Sequence, residues 1–329
     1  MKKRLALVAA LAAAGLMLAG CSSGGSSAPA STAASGGTAG ALPTDPISIN
    51  LGLIPFAELA PVMIAQQKGW FTDAGITLNV TMASAGATII QAMAAGQIDI
   101  GYVNSVSAVQ AISNGLPLVA FRDNDTQTTQ GVYALKSGPI KTAKDLEGKT
   151  IAVSGLKGLA DLTSQAPLEA DGVDWSKVKL VQIAPADQEQ ALATGQVDAV
   201  WFSEPYRTLA DQHLGLTLIS KMLQGPTEGM ATAMWVANAT YWQQHADNVK
   251  RFNAVLGRAM HYAIDNPSEV AAILPTYTSL TPDLAPLVKP AWVPDRDLHQ
   301  SVAPLNDLMV KYDYISSPID LDTTIVDAN

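Results

Sequence analysis

The sequence predicts an α/β protein of two lobes, each a mostly parallel sheet flanked by helices, with a two-strand hinge between them. Three observations predict it. Strand-period and helix-period segments alternate from Ile47 onward, and the alternation restarts near Gly131. One phrase then occurs twice, AMAAGQIDIGYVNS over residues 92–105 and ALATGQVDAVWFSE over residues 191–204. Ala92, Ala94, Gly96, Gln97 and Asp99 recur as Ala191, Ala193, Gly195, Gln196 and Asp198. Each copy reads as the end of an Ala-rich helix, a glycine in the left-handed position past its last turn, a short apolar strand and a loop. Ligands of open α/β sheets sit beyond the carboxyl ends of the strands, so two copies imply two loops offered to one cleft.

The N-terminus sets the compartment. Lys2, Lys3 and Arg4 precede a 14-residue apolar run over residues 5–18, too short to span a bilayer and ordered as a secretory signal. The run ends in LAGC, and Cys21 is the only cysteine. A thiol there resembles the lipobox of bacterial lipoproteins, which implies a signal peptide over residues 1–20 and a lipidated Cys21. Two or more acyl chains hold a protein stably on a membrane surface where one does not. Residues 21–44, almost wholly Ser, Gly, Ala, Thr and Pro, are expected to be a flexible linker. Loss of the three leader cations takes the formal charge from −9 to −12, which speaks against nucleic acid as a partner.

The first lobe opens with a buried strand over residues 47–53 and a helix over 59–68, with Pro61 in its first turn and Gly69 past its end. A strand over 78–82, a helix over 86–95, and strands over 98–103 and 116–121 complete a β-α-β-α-β order. The second round has the strand VYALK, a short helix TAKDLEG capped by Thr142, the strand TIAVSG, a helix, the strand VKLVQIA, the second repeat helix and the strand VDAVWF. One more strand over 231–237 precedes an amphipathic helix over 248–265, and further helices are expected over 268–274, 282–288 and 295–312. A helical tail without strands of its own is expected to cover the first lobe. The resulting division is 45–130 plus 231–329 for lobe 1 and 131–230 for lobe 2, with crossings near 128–136 and 228–237 acting as the hinge.

Four segments, GLIPFAELAPVMIAQQKGWF, AAGQIDIG, IKTAKDLEGKTIAV and TGQVDAVWFSEPY, resemble the substrate-binding proteins of nitrate/sulfonate/taurine-type ABC importers, the SsuA/THI5-like, NMT1-like family. The resemblance covers residues 47–206 well and the tail in outline. It implies the type II periplasmic binding protein fold, a ligand in the interlobe cleft, an ABC permease and ATPase as partners, and no cofactor. The protein is then expected to be a monomer outside the cytoplasm, anchored to the cell membrane by lipid. The same fold occurs in the yeast-type thiamine pyrimidine synthases, but their chemistry requires a cysteine-rich motif, and no cysteine follows Cys21.

Strand ends nominate the ligand-binding residues. Phe56 and Glu58 follow the first strand; Ser84, Gly86, Ala87 and Thr88 open a helix whose free N–H groups suit an anion such as a sulfonate. Ser154 and Gly158 form a second such seat beside Lys157, which could neutralise an anion. Asn104 and Ser105 follow one repeat; Trp201 and Glu204 belong to the other. In the family the acid before a proline in this turn often faces the ligand, and Glu204-Pro205 holds that place. Two residues separate Trp201 from that pair here, a departure that leaves the direction of its ring open. A cleft-facing Glu204 would hold an amine or ring N–H and disfavour a purely anionic ligand. Of Phe56, Tyr102, Trp201, Phe202 and Tyr206, alternation forces at least two into the core, and Phe56 and Trp201 are favoured for the cleft. The four histidines show no metal-ligand spacing, and no nucleophile elbow or phosphate loop appears, so neither a metal nor catalysis is expected.

The favoured function is therefore capture of an aliphatic sulfonate or taurine-like solute. A pyrimidine-type thiamine precursor or other flat vitamin precursor is the alternative, ahead of an enzyme or an adhesion or signalling ectodomain.

Overall fold

The computed structural model describes residues 45–83, 85–125 and 129–329. The signal peptide, Cys21, the linker and Ser84 lie outside the described residues.

The first half runs β1 (Ile47–Leu53), α1 (Ala60–Gln67), α2 (Trp70–Asp73), β2 (Ile76–Met82), α3 (Gly86–Ala94), β3 (Ile100–Asn104), α4 (Ser105–Ser113) and β4 (Leu118–Asp123). The chain then builds β5 (Gly131–Leu135), β6 (Thr150–Val153), α5 (Leu159–Ala170), β7 (Lys179–Gln182), α6 (Pro185–Ala193), β8 (Ala199–Phe202), α7 (Tyr206–Leu214) and β9 (Leu216–Lys221). It closes with β10 (Ala233–Asn238), α8 (Ala239–Asp265), α9 (Pro267–Ile273), α10 (Leu298–Lys311) and α11 (Leu321–Thr324).

Two five-stranded sheets result, in the orders β2-β1-β3-β10-β4 and β7-β6-β8-β5-β9. The orders are the same pattern. In each sheet four strands run one way and one, β10 or β5, runs against both its neighbours. The cause is connectivity: β10 and β5 are the strands that enter a sheet directly after the chain has left the other. A strand that enters where its neighbours finish must run antiparallel to them. The sheets are thus mixed by one reversed strand each, while the other four strands run in one direction, as the mostly parallel reading of the periodicity expects.

Apolar side chains cover both faces of the first sheet. Ile49, Leu51 and Leu53 pack under α1, α8 and α9, with Phe252 at the centre against Phe71 and Trp235. The opposite face carries α3, α4 and α10 through Ile89, Met93, Val109 and Leu305. Gly52 and Gly101 pair in register there. A Cβ on Gly52 would stand 2.8 Å from Ile89 Cγ2, and one on Gly101 would stand 2.7 Å from the same atom. Two adjacent glycines therefore make the flat spot on which α3 lies, and that contact fixes where the α3 N-terminus points. The tail packs on this lobe: Val326 donates its N–H to Ala120 O at 2.9 Å.

The repeated phrase has a structural meaning. Gly96 and Gly195 adopt φ of 70° and 71° after their helices, where an L side chain would be strained. Asp99 Oδ2 accepts the Asn50 backbone N–H at 2.8 Å and Asn50 Nδ2 at 3.0 Å; Asp198 Oδ2 accepts the Thr150 N–H at 2.9 Å. Each aspartate thus clamps the neighbouring parallel strand at the end remote from its closing loop.

Several element expectations needed correction. α4, α7 and β9 carry too few patterned residues to announce themselves. β4 starts at Leu118, two residues late, because Pro117 supplies no ladder donor. The helix expected over 282–288 is one turn at Ala285–Leu287, and α10 begins at Leu298 because Asp297 Oδ1 accepts the His299 N–H at 2.9 Å. α8 starts at Ala239 under the Asn238 cap and breaks its helical dihedrals at His245, where the amphipathic pattern could not be followed upstream.

Asp99→Ala is expected to cost about 1–3 kcal/mol in urea unfolding. Asp198→Ala should cost less, since Asp198 is exposed and makes the single backbone bond.

Candidate functional site

Between the two sheets lies a cavity of about 350 Å³. Its walls are the loops beyond the carboxyl ends of strands from both sheets. Lobe 1 supplies Ile54, Phe56 and Glu58 after β1, Ala85, Gly86 and Ala87 at the start of α3, and Tyr102, Asn104 and Ser107 around the end of β3. Lobe 2 supplies the loop of Ser154, Gly155, Leu156, Lys157 and Gly158 after β6, with Gln182, Trp201 and Ser203. The two chain crossings contribute Asp125, Gln130 and Thr232.

Eight of the nominated residues meet at this cavity: Phe56, Glu58, Gly86, Ala87, Asn104, Ser154, Gly158 and Trp201. Asn104 also caps α4, its Oδ1 accepting the Ser107 N–H at 2.8 Å and its Nδ2 donating to Ser107 Oγ at 2.9 Å. Gly86 packs close to this cap, and a Cβ added there would lie 3.4 Å from Asn104 Nδ2, an ordinary contact.

Three nominated residues are placed elsewhere. Thr88 is exposed on α3, one position past the part of its first turn that reaches the cavity. Ser105 is fully buried and donates to Ala231 O at 2.7 Å, tying β3 to the second crossing. Glu204, 0 % exposed, points into lobe 2: Arg207 donates to Oε1 from Nε at 2.9 Å, and the Thr208 N–H donates to Oε2 at 3.2 Å. Its carboxylate caps α7 and neutralises Arg207, so it is not a cleft group. The Lys157 ammonium likewise serves another partner. It donates to Tyr312 O at 3.1 Å and lies 4.8 Å from the Tyr314 ring centroid.

Two carboxylates define the electrostatics instead. Glu58, 2 % exposed, accepts from Gln130 Nε2 at 3.0 Å. Asp125, 1 % exposed, accepts from Thr232 Oγ1 at 2.6 Å and Asn124 Nδ2 at 3.0 Å. Burial holds the Tyr102 phenol well above its usual range, and the nearby Asp125 and Glu58 charges add to this. Of the lining residues, Asp125, Gln130 and Thr232 escape the sequence reading, and Tyr102 stands in it among the aromatics but is not favoured for the cleft. Asp125 could have been found only as an acid in the polar run RDNDTQ directly after an apolar strand.

Two five-stranded mixed sheets flanked by helices, with a cavity between their strand-end loops, are the periplasmic binding protein fold. The chain belongs to the NMT1/THI5-like family, whose family model matches residues 57–270. It is 25 % identical over 221 residues to a Bacillus subtilis protein provisionally named as an aliphatic sulfonates-binding protein, covering 65 % of each chain. It is 29 % identical over 154 residues to a Haemophilus influenzae protein provisionally named for thiamine biosynthesis, covering 47 % of this chain and 48 % of that one. The chain thus spans two thirds or less of these relatives. Among solved structures, the alkanesulfonate-binding protein of Xanthomonas axonopodis pv. citri bound to MOPS superposes with a TM-score of 0.73 at 16 % identity, covering 86 % of this chain and 99 % of that one. A likeness at that identity carries the fold.

Glu204→Ala is expected to cost about 2 kcal/mol of folding stability by removing the buried acceptor of the Arg207 guanidinium and the Thr208 N–H, Arg207 keeping only Asp211 at 3.4 Å. Its ligand affinity, read by calorimetry, should be unchanged. A second prediction concerns Asp123 at the end of β4. Burial pushes its carboxyl from 3.8 up to about 7, against opposing pulls from Ser301 and Arg296. Folded protein therefore keeps a proton that unfolded chain gives up, and the associated stability, present below pH 4, is lost as pH rises through about 7. Asp123→Asn should flatten that slope, gaining up to about 4 kcal/mol over the native chain at pH 8 but not at pH 4. Urea midpoints at the two pH values decide it.

Proposed function

We propose that this protein is the extracytoplasmic solute-binding component of an ABC importer, tethered by a lipidated Cys21, that captures a small polar organic solute between its lobes and delivers it to a permease and ATPase. The observation that carries the reading is the cavity itself, walled by strand-end loops of both sheets, with the lobes joined by two crossings. A ligand touching both walls stabilises the closed arrangement by the contacts it gains there. The role is binding rather than catalysis, which the family relatives named for binding support.

A taurine-like sulfonate is the favoured solute. The N-termini of α3 and α5 at Gly86 and Gly158 present free N–H groups to an anionic end. A flat pyrimidine-type precursor is the second reading, favoured by Phe56, Tyr102 and Trp201 in one wall set and by the relative named for thiamine biosynthesis.

Screening the full chain in detergent by thermal shift against sulfonates, nitrate, pyrimidines and carboxylates should find one class that raises the melting temperature, since a ligand at 100 times its Kd adds about 2.7 kcal/mol. Phe56→Ala should weaken that ligand roughly tenfold while the unliganded chain still melts cooperatively. Trp201 is less suited to truncation because it is buried in the lobe 2 core. Failure of every class to shift the transition would end this reading.

A further inference from the structure

Helix α5 belongs to lobe 2 by chain order, yet its two sides are packed into different lobes. Leu162 and Ala166, both 0 % exposed, lie about one turn apart and are buried among Val109 of α4, Met230 and Ala231 of the second crossing and Met309 of α10. Ala160 and Leu168 stand on roughly the opposite side of the helix and are buried in the lobe 2 core with Val132, Ile151 and Trp201. Eight of the twelve residues of α5 are buried, and the Thr163 and Ser164 hydroxyls among them are satisfied within the helix, donating to Leu159 O and Ala160 O at 2.6 Å. A helix covered on both sides holds both of its neighbours.

The two ends of α5 are tied to lobe 1 as well. At the C-terminal end Glu169 Oε2 accepts the Tyr312 hydroxyl at 2.8 Å. At the N-terminal end Gln110 Nε2 of α4 donates to Lys157 O at 3.0 Å, and the Lys157 ammonium donates to Tyr312 O at 3.1 Å. That N-terminal end, from Lys157 to Ala160, is also part of the cavity wall. One helix thus touches the ligand space, both cores and the tail.

We propose that α5 sets the angle between the lobes, with Leu162 and Ala166 as its positioning residues and the hydrogen bond from Tyr312 to Glu169 as a tie beside them. A solute docked at the α5 N-terminus then acts directly on the helix whose other face bears on lobe 1, and this use of the helix rests on the solute-binding reading above. Leu162, Ala166, Glu169 and Tyr312 are not among the described residues that line the cavity, so changes to them reach it only through lobe geometry.

Pulsed dipolar spectroscopy on the full chain in detergent reads that angle as a distance between nitroxides on unnatural ketone side chains at Thr77 and Lys179, exposed positions on β2 and β7, the outer strands of the two sheets. Ala166→Leu adds bulk where α5 meets lobe 1 and should move the mean distance by several ångströms. Ala166→Val is the smaller wedge; it should move the distance less and in the same direction, and it serves where the leucine variant does not fold. Tyr312→Phe should broaden the distribution by loosening the tie. Leu168→Ala, on the lobe 2 face, should lower the melting temperature and leave the distance where it was. A distance unchanged by a folded Ala166 variant, or moved as far by Leu168→Ala as by Ala166→Val, would overturn the assignment. The readout needs no solute, so failure of every solute class to bind beside the expected distances would sink the solute-binding reading while α5 kept its role.

Discussion

A buried polar knot where the chain crosses twice between its sheets governs the molecule. Thr232 from the second crossing donates to Asp125 from the first, Asn124 beside it donates to Asp125, and the Trp235 indole donates to Asn124 at 2.8 Å. All four residues are buried. Polar groups so deeply desolvated are costly unless paired, so the knot holds the crossings in one relation and gives the lobes a common pivot. The reversed strands β5 and β10 follow from the same event, since each enters its sheet from the crossing side. Because both crossings meet the sheets where the other strands end, every strand-end loop is brought toward one space. The cavity is a consequence of topology before any side chain is chosen.

Contacts away from the cavity limit how the lobes can move about that pivot. Leu162 and Ala166 of α5 are buried among side chains of α4, α10 and the second crossing. Tyr312 donates to Glu169 at 2.8 Å, and Gln110 donates to Lys157 O at 3.0 Å. Lys157 holds φ at 53°, a conformation rare for residues with a side chain, and there its N–H reaches Asp161 Oδ2 at 2.8 Å while its ammonium reaches the tail. Lys157, in the loop that reads as an anion seat, is thus a strut between lobes, while Ser154 and Gly158 of the same loop line the cavity. Separating the lobes would expose apolar surface at α5 as well as unmake these bonds, so these contacts stabilise the arrangement seen here.

How much of this was legible depended on whether local chemistry or long-range pairing decided the outcome. The repeat was legible because Gly96 and Gly195 answer a backbone demand and Asp99 and Asp198 answer a strand-clamping one, both of which impose residue identity. Phe56, Asn104 and Trp201 were legible because a strand end followed by a loop is a position that sequence can locate. Glu204 was misread for a reason sequence does not contain: Arg207 lies one helical turn on, and whether the pair turns inward or toward the cleft is set by the lobe 2 core. Asp125 and Gln130 were missed because their meaning comes from Thr232 and Glu58, 107 and 72 residues away. β9 was missed because an edge strand reading LTLISK is too short and too mixed to stand out from the helix before it.

The placement of the carboxylates has an energetic consequence for the cavity wall. Glu58 and Asp125 are buried in the folded protein, Glu58 accepting from Gln130 and Asp125 from Thr232 and Asn124. Much of the cost of desolvating them is therefore carried by folding itself and does not fall on whatever later enters the cavity. The same bonds tie Gln130 of the first crossing to the loop after β1 and Thr232 of the second crossing to Asp125 of the first. That part of the wall is thus set in place by the polar network at the crossings, so its shape is decided before any ligand contact is made.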